Sequence, residues 1–413
     1  MATRPQIGAF RLMRRIDQYL GPPICLALGF MKGLADRIHP RDNKIPTTQL
    51  KKILVVKFWG MGSIVLTTPA LRALKSTYPG CSVTFLTFEQ NESICRMITS
   101  IDRVYPYRAN GLAAFLASFL ELVLFLRREK FDVVIDLEFF ANFTSIVTAI
   151  SGARITVGFH TPKVWRESFY TNRVSFDHKH ITEIFLKAAQ TLGAQVDDSQ
   201  LEGLVVNDGA ARPGLDRILS ERMVASTDDL VCMNINASSL DYKRRWPIES
   251  YRELIRRTLT GFPALKVVLI GAREEAPYVA ELVSGMSPDP NLINLCGFIS
   301  VAQLVLLLQR SRLFIGNDSG PLHLAVAAGI STVSFFGPET PSLYGPRGDS
   351  HTVLYKNIPC SPCLNVYNSK NNSSCHNNVC MQSIPVEEAW TAVRERLDGS
   401  SGVWSSEGVL GMR

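Results

Sequence analysis

Short apolar segments of strand length alternate with helical stretches along this chain, and the alternation forms two successive runs. The predicted strands cover residues 53–58, 83–88, 103–107, 131–139 and 154–159 in the first run, then 230–236, 266–271, 291–296, 313–316 and 332–337 in the second. Continuously apolar strands joined by helices are typical of a mostly parallel sheet that is covered on both faces. The sequence therefore predicts an α/β fold of two Rossmann-like, doubly wound domains that face each other across a cleft.

Changes in composition predict the domain boundaries. The predicted divisions are a basic N-terminal segment (1–48), an N-terminal domain (49–206), a polar linker (207–229), a C-terminal domain (230–350), a Cys-rich loop with a closing helix (351–395) and a flexible tail (396–413). Helical stretches are clearest at residues 248–260 and 300–310. A third, at 112–128, is apolar nearly all round, which predicts a helix buried against the sheet; the alternative is a face that contacts lipid.

The N-terminal segment is strongly basic. Residues 1–52 hold ten Lys and Arg against three Asp, whereas the other residues carry 34 basic and 34 acidic side chains. A neutral body argues against a nucleic-acid-binding protein. The apolar run at residues 24–31 is shorter than the roughly 20 residues that a membrane-spanning helix needs. Its basic flanks predict contact with an anionic membrane surface, and the alternative is a helix packed on the body of the protein.

The stretch "FIGNDSGPLHLAVAAG", residues 314–329, is an apolar strand followed at once by a helix of small residues. Asp318 or Ser319 can cap that helix, and Gly320 lets a ligand approach the backbone. The unpaired amides and the dipole at such a helix end form an anion site, and His323 can donate a hydrogen bond from the first turn. A second loop begins at Gly337 after the next strand, so the two turns together predict a cradle for a diphosphate. The alternative is an ordinary glycine-rich turn without a ligand.

Several segments resemble one enzyme family. "NDSGPLHLAVAAGISTVSFFGPETPSLYGPRG" is similar to the signature of glycosyltransferase family 9, the bacterial heptosyltransferase family, and lacks only its second proline. "ILVVKFWGMGSIVLTTPALRALKSTYPG" resembles the family's first strand, glycine-rich loop and helix, and "KRRWP" resembles its Lys-x-Trp-Pro segment. The resemblance extends from about residue 50 to residue 395.

The resemblance implies a GT-B enzyme that binds its acceptor in the N-terminal domain and a nucleotide sugar in the C-terminal domain. It also implies inversion at the anomeric carbon, with no catalytic metal or other cofactor. The donor-binding residues that it assigns are Asp318, Ser319, Gly320 and His323 for the sugar and diphosphate, Glu275 or its neighbour Glu274 for the ribose, and Arg244 or Lys243 for the phosphates. Gly337 joins them through the second loop.

The general base departs from the family pattern. The family has Gly-Asp after the first strand, with the aspartate as base, whereas this chain has Gly62 and Ser63. Serine cannot take up a proton unaided at neutral pH. Three other groups at strand ends are therefore candidates, in this order: Glu138 (beside Asp136 in "FDVVIDLEFF"), Glu89 and His160. The alternative for Glu138 is a carboxylate that caps a loop or pairs with Arg154.

Four of the nine cysteines cluster near the C-terminus, at Cys360, Cys363, Cys375 and Cys380. A C-x-x-C pair followed by two further thiols can hold a structural zinc ion or an iron–sulfur centre. Reduced thiols and disulfides remain the alternatives.

These observations predict an inverting glycosyltransferase that moves a sugar, such as heptose from ADP-heptose, to a lipid-linked glycan of lipopolysaccharide or exopolysaccharide. We expect it in the cytoplasm, peripheral on the inner face of the cytoplasmic membrane. The alternatives are a nucleotide-sugar epimerase on the same fold and a nucleotide-sugar-binding subunit that has lost its base. An oxidoreductase is disfavoured because "KFWGMGS" lacks the order G-x-G-x-x-G.

Overall fold

The computed structural model describes ten stretches of the chain. They are residues 17–31, 34, 50–109, 111–139, 141–160, 169–177, 179–195, 198–237, 242–364 and 375–399. Within them lie two six-stranded sheets, one in each half of the chain. All of their strand pairings are parallel. The predicted class, two doubly wound α/β domains, is confirmed.

The N-terminal sheet consists of β1 (Lys52–Val56), β2 (Ser82–Phe88), β3 (Arg103–Tyr107), β4 (Val133–Asp136), β5 (Ile155–His160) and β6 (Asn172–Ser175). Its strand order is β3-β2-β1-β4-β5-β6. Central β1 is buried on both faces: Ile53 and Val55 join one apolar cluster, and Leu54 and Val56 join another. This is the two-residue alternation of a strand between two helical layers.

The helices of the N-terminal half are α1 (residues 17–31), α2 (Met61–Val65), α3 (Thr68–Thr77), α4 (Glu92–Cys95), α5 (Leu112–Glu129), α6 (Asn142–Ile150) and α7 (Ile181–Gln190). Helix α5 differs from its prediction. Only its inner face is buried, at Leu122 and Leu126, whereas Leu116, Leu120 and Leu124 are exposed. No helix of the described residues is both long and apolar enough to cross a bilayer.

The C-terminal sheet consists of β7 (Asp229–Asn234), β8 (Leu265–Leu269), β9 (Leu292–Asn294), β10 (Leu313–Asn317), β11 (Ser331–Phe336) and β12 (His351–Tyr355). Its strand order is β12-β11-β10-β7-β8-β9. The helices of this half are α8 (Ala211–Ser220), α9 (Ile248–Gly261), α10 (Ala276–Ser284), α11 (Val301–Arg310), α12 (Gly320–Ala327), α13 (Pro341–Tyr344), α14 (Val379–Gln382) and α15 (Val386–Asp398).

All ten predicted strands are present. The elements that were not predicted include two edge strands and a helix in the expected linker. Strands β6 and β12 form one edge of each sheet, where polar and half-exposed residues give no continuous apolar run. Because β12 pairs with β11, the C-terminal sheet extends beyond residue 350, where the predicted domain ends. Helix α8 lies inside the expected linker, since Leu215 and Leu219 are buried one helical turn apart.

Candidate active site

The turn after β10 lies at the carboxyl edge of the C-terminal sheet and opens α12. Ser319 is the N-cap residue, and α12 starts at Gly320 with a proline in its first turn. The Ser319 hydroxyl makes no capping hydrogen bond to the helix; it accepts one from Asn234 Nδ2 at 3.2 Å. The N-cap side chain therefore consumes none of the first-turn amides, and the helix end keeps the partial positive charge that attracts anions.

Arg244 and Asp318, both predicted to serve the donor, form an ion pair beside this turn. Arg244 Nη1 donates to Asp318 Oδ2 at 3.0 Å, and both side chains are largely buried. The backbone amide of Asp318 is fixed by Phe335 O of β11. A guanidinium carries five N–H donors in a planar fork, so the contact with Asp318 orients the fork. Lys243, the other predicted cation, precedes it and is half-buried.

Asn317 holds the Arg244 segment against the strand ends, a role that sequence reasoning missed. Its Oδ1 accepts from Trp246 N at 3.0 Å, and its Nδ2 donates to Ile235 O and Asn236 O at 3.0 and 3.1 Å. The Trp246 ring stacks on Phe335 with centroids 4.3 Å apart. The only signal in the sequence was an amide residue placed directly before Asp318.

Glu275 lies in a second part of the candidate site, beyond β8. Its Oε2 accepts from Ala272 N at 2.8 Å, whereas its neighbour Glu274 is exposed. Burial raises the pKa of the Glu275 carboxyl above its ordinary value, against the lowering effects of the Ala272 amide and the Arg245 guanidinium. A Cβ on Gly271 would lie 2.7 Å from both Asn236 Nδ2 and Cys296 Sγ and 3.1 Å from Glu275 Oε2, so only a glycine fits beside this carboxylate.

Arg245 lies close enough to Glu275 for its charge to act on that carboxyl, and it was not predicted. Its guanidinium stacks on Tyr278, 3.9 Å from the ring centroid, and on Tyr242 at 4.4 Å. Stacking on two rings fixes the plane of the guanidinium. Arg245 and Glu275 therefore place a cation and a carboxylate near each other. Such a pair is suited to a polyhydroxylated ligand.

Gly337, predicted to belong to a second donor loop, contacts α14. A Cβ at this position would lie 2.5 Å from Met381 Sδ and 2.9 Å from Cys380 Sγ. The packing of α14 alone thus requires a glycine here, whether or not the loop meets a ligand.

Glu138, the first candidate for the base, is buried at the end of β4. Its Oε1 accepts from Lys57 Nζ at 3.0 Å and from the amides of Phe58 and Trp59 at 2.7 Å each. Lys57 and Glu138 are 2% and 5% exposed. Glu138 thus anchors the loop between β1 and α2, and its Oε2 receives no hydrogen bond from any residue of the described stretches. Asp136, fully buried, accepts from the Glu138 amide at 3.0 Å.

That same loop leads into α2, which carries Gly62 and Ser63 to the start of α12. Helix α2 packs on α12, and a Cβ on Gly62 would lie 2.5 Å from His323 Cδ2 and 3.1 Å from Gly320 Cα. Gly62 and His323 are buried, whereas Ser63 is half-exposed. The structure therefore joins the two predicted motifs, one from each domain, across the cleft.

The remaining candidates for the base lie at other strand ends. Glu89 begins the turn after β2 and pairs with Arg108 Nε at 3.4 Å, with both side chains largely exposed. Two residues on, Asn91 donates to Phe58 O at 2.8 Å, so this turn touches the β1–α2 loop. His160 ends β5 and is half-buried.

His180 links the two domains and was not predicted. It is the N-cap residue of α7, and its Nε2 lies 2.9 Å from Gly345 O of the C-terminal domain. Burial, and next the Arg347 charge, lower the pKa of His180 to about 4. Arg347 also pairs with Glu183 at 2.6 Å, so α7 contacts the C-terminal domain twice.

The four clustered cysteines range from exposed to buried and form no disulfide. Burial, followed by the charge of Cys363 and then those of Cys375 and Cys360, raises the pKa of Cys380 to about 11. Residues 365–374 of this loop lie outside the described residues. Within the described part of the chain, no group of three or more metal-binding side chains is arranged to hold a metal ion.

Two doubly wound domains, with a turn of the anion-binding type at the start of α12 in the second domain, are the architecture of the GT-B class of glycosyltransferases. The family model of glycosyltransferase family 9 (heptosyltransferase) matches residues 120–373. The chain belongs to this family, as its resemblance predicted, and is a glycosyltransferase.

Relatives of known name agree with this assignment. Lipopolysaccharide heptosyltransferase 3 of Escherichia coli is 25% identical over 285 residues, which are 67% of this chain and 80% of that protein. The family 9 glycosyltransferase of Veillonella parvula has a similar structure, with a TM-score of 0.72 at 23% identity over 87% of this chain and 100% of that one. For the E. coli ADP-heptose lipopolysaccharide heptosyltransferase II the TM-score is 0.68 at 16% identity, over 86% of this chain and 100% of that one.

Proposed function

We propose that this enzyme transfers heptose from ADP-heptose to a lipid-linked glycan, with inversion at the anomeric carbon. The observation that carries the proposal is the contact of Gly62, in α2, with Gly320 and His323 at the start of α12. This contact sets an acceptor loop and an anion site against each other, as transfer between two bound substrates requires. The name of the E. coli relative supplies the sugar nucleotide and the lipopolysaccharide acceptor.

For the donor, the turn at Ser319 and Gly320 holds the diphosphate through backbone amides, and His323 contributes from the first turn of α12. Arg244, oriented by Asp318, neutralises the charge that develops on the leaving diphosphate, and Lys243 adds a second cation. Glu275 accepts hydrogen bonds from the ribose hydroxyls. The loop that begins at Gly337 contributes to the donor site from the side opposite Glu275.

For the acceptor, we assign Glu138 as the base through Oε2, because Oε1 is committed to three donors. Ser63, half-exposed on α2 just after the loop that Glu138 anchors, orients the acceptor hydroxyl. The hydroxyl oxygen attacks the anomeric carbon, the bond from that carbon to the diphosphate oxygen breaks, and the proton passes to the carboxylate. Glu89 and His160 are the next candidates.

The test is transfer itself. Purified protein is given ADP-heptose and a deacylated lipopolysaccharide core, and both ADP release and the glycosylated product are measured. The proposal expects both to appear together, with a β/α inversion seen by NMR. Sugar isomerisation without an acceptor would instead identify an epimerase.

An inactive donor-binding subunit is the second candidate, because Ser63 stands where the family has its base. Such a protein would bind ADP-heptose, measured by calorimetry, and release no ADP with any acceptor. Arg244→Ala would then weaken binding without changing a rate.

We also place the enzyme in the cytoplasm, peripheral on the inner face of the cytoplasmic membrane. A lipid-linked acceptor requires access to a bilayer, and the ten basic residues within positions 1–52 suit anionic headgroups. Cell fractionation tests this location: the enzyme is expected with inner membranes and is released by high salt.

For the Cys cluster we propose a structural zinc or iron site. Four cysteine thiolates are a donor set that both metals accept once the loop brings them together. Bringing Cys360, Cys363, Cys375 and Cys380 together would fix a polar loop that has no core of its own. Metal analysis of the purified protein decides it: we expect about one zinc or iron per chain and a loss in Cys363→Ser, whereas less than about 0.3 per chain refutes the site.

A further inference from the structure

Exposed apolar side chains are concentrated on one part of the N-terminal domain. Fifteen large hydrophobic residues of the described stretches are exposed, and ten of them lie on α1, at position 34 or on α5. The ten are Tyr19, Leu20, Ile24, Leu26, Phe30, Met31, Leu34, Leu116, Leu120 and Leu124. Scattered apolar residues are normal on protein surfaces, whereas a concentration of this kind marks an interaction site.

Helix α1 is fixed to the domain by one face. The Asp17 carboxylate accepts from the amides of Asn142 and Phe143 at 3.0 and 2.6 Å, which caps the start of α6. Gly21 and Cys25, one turn apart, are buried against the same place. The opposite face is apolar from Tyr19 to Met31 and carries no charge.

Helix α5 continues this surface. Leu116, Leu120 and Leu124 are spaced by four residues and therefore lie on one face, opposite buried Leu122 and Leu126. The two helices meet around the start of α6: Phe143, whose amide Asp17 caps, contacts Phe115 and Phe119 of α5, with ring centroids 5.3 and 6.1 Å apart.

Charge identifies the occupant of this surface. Along the sequence, residues 1–52, which include α1, hold ten basic and three acidic side chains, and Arg127 and Arg128 are exposed at the end of α5. We propose that α1 and the leucine face of α5 form one docking surface for an anionic lipid bilayer, with apolar groups among the acyl chains and cations at the headgroups.

A second copy of this chain fits the surface less well. A symmetric dimer through it would bring two basic segments together, and like charges facing each other oppose association. The apolar run at residues 24–31 is also shorter than the roughly 20 residues of a spanning helix, so we place α1 in the membrane interface.

The docking surface lies where it can bring a membrane-embedded acceptor to the enzyme. This role rests on the proposed lipid-linked acceptor. Helix α6 follows β4, and Glu138 lies in the connection between them. The docking surface therefore borders the edge of the sheet where we place the acceptor hydroxyl.

The experiment is co-flotation of the full chain with vesicles. Phosphatidylethanolamine vesicles containing phosphatidylglycerol are compared with pure phosphatidylcholine. One variant carries Leu116→Gln, Leu120→Gln and Leu124→Gln, and a second carries Phe30→Gln and Met31→Gln. The matched control carries Val205→Gln, Met223→Gln and Phe298→Gln, which are exposed elsewhere.

We expect binding to the anionic vesicles only, reduced on the order of tenfold in either variant and within about twofold of wild type in the control. Equal binding by all proteins, or no binding by wild type, overturns the proposal. So does a dimer that the leucine variant dissociates, since a second copy would then be the occupant. Transfer to a deacylated, water-soluble acceptor is measured in parallel and should not change in either variant, which separates this inference from the proposed activity.

Discussion

Gly62 of α2 lies against His323 of α12, close enough that a Cβ on residue 62 would be 2.5 Å from the imidazole Cδ2. The two domains thus meet at a position that tolerates no side chain. Helix α2, which also carries Ser63, is thereby packed against the start of α12.

Gly62→Ala is expected to lower kcat/KM by roughly tenfold or more, because the added methyl displaces the loop from α12 and small misplacements of reacting groups are costly. Steady-state kinetics with ADP-heptose measure it. Gly80→Ala is the matched control, since nothing lies within 4 Å of its Cβ, and it should leave the rate within about twofold. Equal kinetics in both variants would show that the contact has no role in transfer.

Arg244→Lys is expected to raise KM for the donor by about tenfold, because an ammonium cannot keep the planar fork that Asp318 orients. The comparison is Arg256→Lys, an exposed residue that pairs with Glu253 within α9 and should change little. A donor KM unaltered by Arg244→Lys would remove this residue from the site.

Glu138→Gln is expected to abolish turnover while ADP affinity stays within a few-fold. It also leaves the Lys57 ammonium buried without its counter-charge, so the free energy of unfolding should fall by about 3 kcal/mol. Adding Lys57→Met should restore stability but not turnover if Glu138 is the base. Recovery of turnover in the double variant would show that Glu138 only positions the loop.

Acid should weaken the fold through His180. Because its folded-state pKa is about 4, below the ordinary histidine value of 6.5, the unfolded chain binds the proton first and stability falls as pH drops from 6.5 towards 4. The contribution is roughly 3 kcal/mol and is complete above pH 6.5. Half-buried His351, also with a pKa lowered to about 4 by burial, adds to the same slope. Urea unfolding between pH 4 and 7 should give a shallower slope in His180→Asn than in wild type; identical slopes would exclude His180 as a source.

The local features of the fold and site were predictable from the sequence. Each apolar strand is recognisable from a run of a few consecutive residues. The turn that opens α12 is likewise one contiguous segment, from Asn317 to His323. Strands β6 and β12 were missed because each lies at the edge of its sheet and pairs on one side only. Most of their residues are partly exposed, so they lack the continuous apolar run of a central strand.

Contacts between distant segments were not predictable, because they depend on strand order. Lys57 follows β1 and Glu138 follows β4, and only the parallel register of these strands, with Val56 opposite Asp136, sets the two side chains together. The same holds for His180 and Gly345, which belong to different domains.

The most direct test is a crystal structure of the protein with ADP-heptose. The account predicts diphosphate oxygens about 3 Å from the Gly320 amide and from the Arg244 guanidinium. A diphosphate bound elsewhere, with the turn at Gly320 empty, would contradict it.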